Sequence, residues 1–413
     1  MQVLRRPALD PWLFGSPLRR PGVALAVMAV LLAVLLVAVA MALFTMAAMG
    51  RDGTSVFLRA LAASGALSSM PLAIVAWLDR RERESPWLYG VAFLWGGVIA
   101  AWLSMPLNTL ILMSVGQWVA QNPGVTEALG GDATLMLGAP LAAPLVEETI
   151  KGLGIVALFF LLRAEFDNAR DGFVYGALVG AGFTWVESAL YVAQGYVEHG
   201  AAPYGLQLGA RYALFGMAGH VLFSGLLGAF LGLAREMRPG VLAWLTAALG
   251  LGVAFLAHAA NNVLPLVGAL MLRAAGEPPP KSGEPPPPSG FLETWLSASL
   301  MDLIVFLPFV ALLAWLLVRS GRHEQRVIRD ELGSEGEPFV LEGERAAIAN
   351  DGLFQTRRVD ALHRRDSQAL VRLQHELAFR KRRVRDRGRD PEGDPLVARW
   401  RDEIRELRAR AAP

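Results

Sequence analysis

Glu147, Glu148 and Lys151 stand together in APLVEETIKG, residues 143–152, inside a run of about thirty otherwise apolar residues, long enough to cross a bilayer. Ionisable side chains at hydrocarbon depth are costly and face a protein interior or a water-filled cavity, so they mark where chemistry is done. Further along the chain the same kind of position is held by Glu187, by His220, and by His258 with Asn261 and Asn262. On a helix, Glu147 and Lys151 are i,i+4 and Glu148 and Lys151 are i,i+3, so the lysine neutralises one carboxylate and leaves the other available as a base. His258 and Asn262 are again i,i+4, which brings an imidazole and an amide to one face. His220 and Ser224 share that spacing, but a serine hydroxyl in a helix is expected to bond its own backbone, so Ser224 is left outside the site.

Two chemistries fit these residue types. A glutamate in a low-dielectric pocket takes a proton from water and returns it to a leaving amine, while a second carboxylate or histidine holds that water. His258 and Asn262 then donate to a developing oxyanion. Alternatively Glu148, His220 and His258 bind zinc, with a fourth position open for water and another glutamate as base. The residues alone leave both open.

The elements that must position these groups follow from composition. Of 413 residues, 54% are hydrophobic and only 18% charged, too apolar for a soluble domain of this length. There is no cysteine, which excludes disulfides, thiolate nucleophiles and thiolate-bound zinc. Eight segments are expected to span the membrane: 23–49, 55–78, 87–117, 134–162, 172–196, 209–234, 240–271 and 293–318, the third with a kink at Pro106. The predicted fold is therefore all-α and polytopic. Residues 1–22 form an N-terminal segment, 23–318 the membrane domain with the polar core at about 134–271, and 319–413 a charged tail.

Orientation follows from arginines in short loops. Arg5, Arg6, Arg19 and Arg20, the turn with Arg80, Arg81 and Arg83, the loop with Arg163 and Arg170, the turn with Arg235 and Arg238, and the tail all fall on one side, read as cytoplasmic. Arg51, Arg211, Arg273 and Lys281 fall on the other, the last in GEPPPKSGEPPPPSG, a polyproline-II spacer. Counted from the cytoplasmic ends, Glu148, Glu187 and His220 lie about fourteen or fifteen residues in and His258 about eighteen, roughly 21 to 27 Å at helical rise. Four groups on four successive helices share nearly one level, nearer the outer leaflet. Gly172, Gly176 and Gly180, with Gly228 and Gly232, have the spacing that permits close helix approach. The tail is expected to hold helices near 359–385 and 396–410 with few large apolar residues; its run FRKRRVRDRGR is read as a solvated face before a lipid-headgroup contact. Interspersed acids and the lack of a binding motif speak against nucleic acid.

Glu147-Glu148-x-x-Lys151, Phe183-x-x-x-Glu187 within GAGFTWVESALY, His220 in GHVLFSGLLG and His258-x-x-x-Asn262 in HAANN, taken in order, resemble the PrsW family of intramembrane proteases, a relative of the CAAX prenyl proteases and bacteriocin-processing enzymes. The resemblance covers about residues 134–265. It implies a helical membrane peptidase acting on a membrane-anchored protein, with bacterial anti-sigma factors as the best-known substrates. It makes Glu147, Glu148, Glu187 and His220 the essential positions and His258 with Asn262 the supporting pair, with zinc or a metal-free glutamate-activated water. Glu187 stands where the CAAX-type enzymes have histidine, so prenylated substrates are not implied.

Other intramembrane protease signatures are missing: HEQRV at His323 is not HExxH and falls outside the spans. The rival readings are a proton-coupled transporter, in which Glu and His relay protons, and an inactive membrane scaffold. No inverted repeat supports the first, although Pro140 and Pro144 allow a bent helix before the diglutamate.

Overall fold

The structure, a computed structural model, describes residues 16–80, 85–130, 133–162, 165–276, 289–350, 357–359 and 361–411. Arg5, Arg6, Arg81, Arg83, Arg163, Lys281 and most of the proline spacer lie outside the described residues. The protein is 87% helical, with no strand among the described residues, as an all-α membrane protein should be. It divides into two compact units, 1–76 with 85–314, and 77–84 with 315–413.

In the first unit, α1 (Pro21–Leu78) changes course at Gly50, which takes φ 70° and ψ −177°. Glycine enters that conformation without the steric cost of a Cβ, and the break falls between the first two expected spans. α2 (Pro86–Leu94), a wide-turn segment (Trp95–Ala100) and α3 (Ala101–Gln121) run on from one another, with Pro106 inside α3. Then come α4 (Pro123–Leu129), α5 (Ala133–Leu161), α6 (Ala169–His199), α7 (Tyr204–Arg211), a tight turn at Ala213–Gly216, α8 (His220–Glu236), α9 (Val241–Asn262), α10 (Leu264–Ala274) and α11 (Phe291–Gly333). Six helical stretches are long and apolar enough to cross a membrane, and α10 is a shorter apolar helix. With α1 divided at Gly50, and with the 29-residue α5 that carries the ionisable motif, they correspond to the eight expected spans.

Two spans differ from expectation in continuity. Segment 209–234 is not one helix: α7 ends at Arg211, Leu214 and Phe215 take positive φ, and α8 begins only at Gly219–His220. Segment 240–271 breaks after Asn262, where Pro265 in the first turn of α10 lacks the N–H an unbroken helix would need.

α6 is the central helix, its residues buried almost continuously from Ala169 to Leu190. Asn168 caps it, accepting from the N–H groups of Arg170 (2.8 Å) and Asp171 (3.1 Å), while the Asp171 carboxylate accepts from the Asn168 N–H. Large apolar side chains point outward on the peripheral helices, among them Leu36 and Phe44 on α1, Trp244 and Leu256 on α9, and Leu303 and Ile304 on α11, as a lipid-facing surface requires. α6 and α8 touch through backbone. A Cβ added at Gly172, Gly176 or Gly180 would lie 2.0, 2.1 or 2.1 Å from the carbonyl oxygens of Gly228, Ser224 and His220.

The second unit comprises the end of α11 with α12 (Glu342–Ala349), α13 (Arg364–Asp386) and α14 (Pro395–Ala411). Its apolar residues are sparse in sequence, yet they close a core of their own around Ile328, Leu332, Leu370, Leu377, Val397 and Ile404. The solvated face expected of the tail is thus only its outer side, because Val397, Trp400, Ile404 and Leu407 recur at helical spacing on one stripe. Charged residues tie the helices together: Lys381 Nζ donates to Glu335 Oε1 (2.5 Å), Arg401 reaches both Glu335 (2.8 Å) and Glu392 (2.6 Å), and Arg380 makes a two-pronged pair with Asp394. Burial pushes the Glu335 carboxyl up, but Arg401 and Lys381 outweigh it and hold the group below the usual range. Asp394 is held low by Arg380 in the same way, against its own burial.

Candidate active site

α5 delivers its three ionisable residues to the interior: Glu147 is 4% exposed, Glu148 and Lys151 not at all. The two glutamates, adjacent in sequence, point to different surroundings. Glu148 is enclosed by partners. Its Oε1 takes Lys151 Nζ at 2.5 Å and His258 Nδ1 at 2.9 Å, and its Oε2 takes the Ser224 hydroxyl at 3.1 Å. Glu147 is half satisfied. Asn108 Nδ2 donates to its Oε1 at 2.9 Å, whereas Oε2 is buried with no hydrogen-bond partner. Ser224 therefore belongs to the site after all: in a membrane interior a buried carboxylate oxygen outcompetes the helix carbonyl for the hydroxyl proton.

Lys151 serves a second group, with Nζ 2.9 Å from His220 Nδ1. An ammonium has only donors, so His220 Nδ1 accepts and the ring carries its proton on Nε2, where it donates to Glu187 Oε2 at 2.8 Å. Glu187 also holds Arg211, Nη1 to Oε2 at 2.5 Å, and the Arg211 guanidinium lies 4.1 Å above the Tyr191 ring. His258 has the opposite arrangement. Its Nδ1–H donates to Glu148, so in the neutral ring Nε2 is a bare acceptor. That Nε2 stands 3.9 Å from the orphaned Glu147 Oε2.

Two acceptors therefore face each other with no donor between them. Such a pair suits a water that donates to both, or a cation. One atom each from Glu147, His220 and His258 lie within 4.8 Å of one another, a carboxylate and two imidazoles of the kind a divalent metal ion takes. The glutamate of this trio is Glu147, whereas the sequence pointed to Glu148 with the same histidines. Glu148 instead stands behind His258, in the position from which a carboxylate fixes the tautomer of a metal-binding or catalytic imidazole.

Aromatic rings hold both histidines. Phe183 meets His220 edge-on at 4.7 Å, Phe223 stacks on His258 at 5.0 Å, and Phe306 of α11 packs on Phe223 at 5.5 Å. Glu147, Glu187, His220 and His258 border one cavity of about 890 Å³, which Glu148 and Lys151 do not reach. Asn262 also borders it, but its amide donates to the Ala139 carbonyl at 3.2 Å rather than toward His258. At its rim α8 starts with His220 itself, so the N–H groups of the first turn have no partner within the helix.

The structure thus brings together Glu147, Glu148, Lys151, Glu187, His220 and His258, with Asn262 on the same wall. Sequence reasoning missed Asn108, Ser224 and Arg211. Asn108 is an isolated amide in an otherwise apolar span, a signal that was legible; Arg211 was read as a loop arginine because the break before α8 was not foreseen.

Comparison with known proteins agrees with the resemblance seen in the motifs. Residues 84–277 match the PrsW family intramembrane metalloprotease. Among relatives, the protein named Protease PrsW of Geobacillus kaustophilus (strain HTA426) is 36% identical over 119 residues, 29% of this chain and 46% of that protein. Protease PrsW of Bacillus subtilis (strain 168) is 33% identical over 110 residues, 26% of this chain and 46% of that protein. The chain thus spans about half the length of these relatives. No solved structure matches.

Proposed function

We propose, on the premise that residues 84–277 form a PrsW-type core, that this protein is an intramembrane peptidase hydrolysing a peptide bond of a membrane-anchored protein. The observation that carries the reading is the facing pair of acceptors, Glu147 Oε2 and His258 Nε2, 3.9 Å apart in a cavity at membrane depth. A water about 2.8 Å from each bridges them with ordinary hydrogen bonds. Glu147 Oε2 takes its proton as the oxygen attacks the peptide carbonyl and returns it to the leaving amine. Glu148 keeps His258 in the tautomer with Nε2 bare, and Lys151 neutralises Glu148 while fixing His220. Arg211, which Glu187 holds through one of its N–H groups, supplies positive character toward the carbonyl oxygen, and His220 Nε2–H keeps Glu187 in place.

The same residues fit a divalent metal ion in part: Glu147 Oε2 and His258 Nε2 offer bare acceptors to it, and His220 would join them by releasing Lys151 or Glu187. Bound zinc would lower the pKa of the attacking water. A single-span anti-sigma factor is the first substrate to try, since the resemblance to PrsW points there. A cytoplasmic side for both termini is the reading that the arginine distribution supports.

The test is Glu147→Gln, which keeps shape and hydrogen-bonding capacity while removing the base. Purified wild type in lipid nanodiscs should cut candidate single-span proteins, and the variant should lose roughly 10³-fold or more in rate with unchanged folding, a typical range for a base or nucleophile partner. Retained cleavage in the variant sinks the assignment. A proton-coupled transporter would instead show no cleavage by wild type and a proton flux in proteoliposomes that Glu147→Gln abolishes.

A further inference from the structure

One carboxylate on the cavity wall has neither a part in this chemistry nor a partner among the described residues. Asp302 lies in the apolar part of α11, outside the residues that match the family. An ionisable group at membrane depth persists where something offsets its desolvation. Every other carboxylate bordering the cavity has a partner. Glu187 has Arg211 and His220, Glu198 accepts from the Gln194 amide at 2.7 Å, and Glu147 has Asn108 on one oxygen. Asp302 has neither a hydrogen-bond nor a charged partner among the described residues.

Its position is fixed by its neighbours on α11. Asp302 is i,i+4 from Phe306, which is 1% exposed and packs on the Phe223 ring that stacks on His258. Upstream, Trp295 Nε1 donates to the Tyr212 carbonyl at 2.8 Å, and Ser299 Oγ accepts from the Leu214 N–H at 3.0 Å. The helix is therefore held on both sides of Asp302, about 6 Å along its axis from the phenylalanine that backs the catalytic imidazole. Charge points the same way. Among the described residues the cavity is bordered by Glu147, Glu187, Glu198 and Asp302 against Arg211 as the one lysine or arginine, and Arg211 is paired with Glu187. Glu147, whose buried Oε2 is also without a partner, borders the same space.

We propose that Asp302 forms a subsite for a basic side chain, lysine or arginine, of the membrane segment that enters the cavity. Met301 and Leu264 border the cavity with it and receive the apolar stem, while the carboxylate takes the charge. That the occupant is a segment of a membrane-anchored protein rests on the peptidase reading; the chemistry of the subsite does not. Asp302 is a specificity residue and touches no reacting atom.

The experiment measures binding and cleavage separately. A series of synthetic single-span peptides, identical except for one lysine walked through the apolar stretch and its flanks, is compared with the same series carrying norleucine. Binding to the full chain with Glu147→Gln, in nanodiscs, is followed by fluorescence anisotropy. At one register lysine should bind roughly tenfold or more tighter than norleucine, the scale of a desolvated charge pair. Asp302→Asn should erase that ratio without weakening the norleucine peptides, and Asp302→Lys should favour a glutamate at the same register. Equal affinity for lysine and norleucine at every register, or a lysine preference that survives Asp302→Asn, overturns the subsite. Lysine selectivity without cleavage of any peptide by wild type supports the subsite while sinking the peptidase reading.

Discussion

The contact between α6 and α8 gives a prediction that can be worked from distances. Gly180 faces the backbone of His220: a methyl group there would lie 2.1 Å from its carbonyl oxygen and 2.5 Å from its carbonyl carbon. Ordinary C···O approach is about 3.3 Å, so Gly180→Ala must part the two backbones by about 1 Å. Both belong to packed helices, and neither can yield by rotating a side chain. The first turn of α8 moves, and His220 with it. Misplacing a reacting group by about 1 Å costs on the order of 10²-fold in rate. Gly172→Ala applies the same strain, 2.0 Å from the Gly228 carbonyl, but two helical turns away. It should lower stability comparably and activity much less. Gly252→Ala, with nothing within 4 Å, is the control and should match wild type. The assay is cleavage of a single-span substrate per folded molecule, with unfolding in mixed detergent as the stability measure. If Gly180→Ala cleaves within about twofold of wild type, or falls no further than Gly172→Ala, the close approach does not set the position of His220 and the reasoning fails.

Other outcomes follow from the same geometry. Lys151→Met leaves Glu148 fully buried without its cation and should cost about 3 to 5 kcal/mol of stability, much of it recovered by adding Glu148→Gln; additive losses in the double variant would deny the pairing. Equilibrium dialysis against zinc should load about one ion per chain in wild type and in Asp302→Asn, but not in Glu147→Ala or His258→Ala; equal loading in all four removes the metal site. The tail unit should lose protection from proteolysis in acid. Glu335 and Asp394 are held below their ordinary values of 4.5 and 3.8, so their contribution is complete above that range and is lost as pH falls through the depressed values. Burial raises Glu331, whose contribution has the opposite sign and fades as pH rises. A tail as resistant at pH 3 as at pH 7 would show that the carboxylate pairs carry none of its stability.

Much of this site was legible because a membrane restricts where polar groups can be. Glu147, Glu148, Lys151, Glu187, His220 and His258 stood out against apolar sequence, and helical spacing put Lys151 within reach of either glutamate. Which glutamate it chose was not legible. That depended on Ser224 and His258 arriving at Glu148 from α8 and α9 and on Asn108 arriving at Glu147 from α3, contacts far apart in sequence. Hydropathy located the spans well, but could not show that one of them starts at His220 rather than at 209, because Leu214 and Phe215 are apolar residues in a turn. In the tail, low apolar content concealed a core that needs only one residue in three or four.

The interruption before His220 bears on where the reactant comes from. Unsatisfied amides cannot be left facing acyl chains, so the crevice at the head of α8 must stay hydrated while no protein segment fills it. Those same amides carry roughly half a positive charge at the helix start, beside the ring that bridges Lys151 and Glu187. The supply of solvent and the field that would steady a nascent alkoxide thus come from one feature, a helix that begins late.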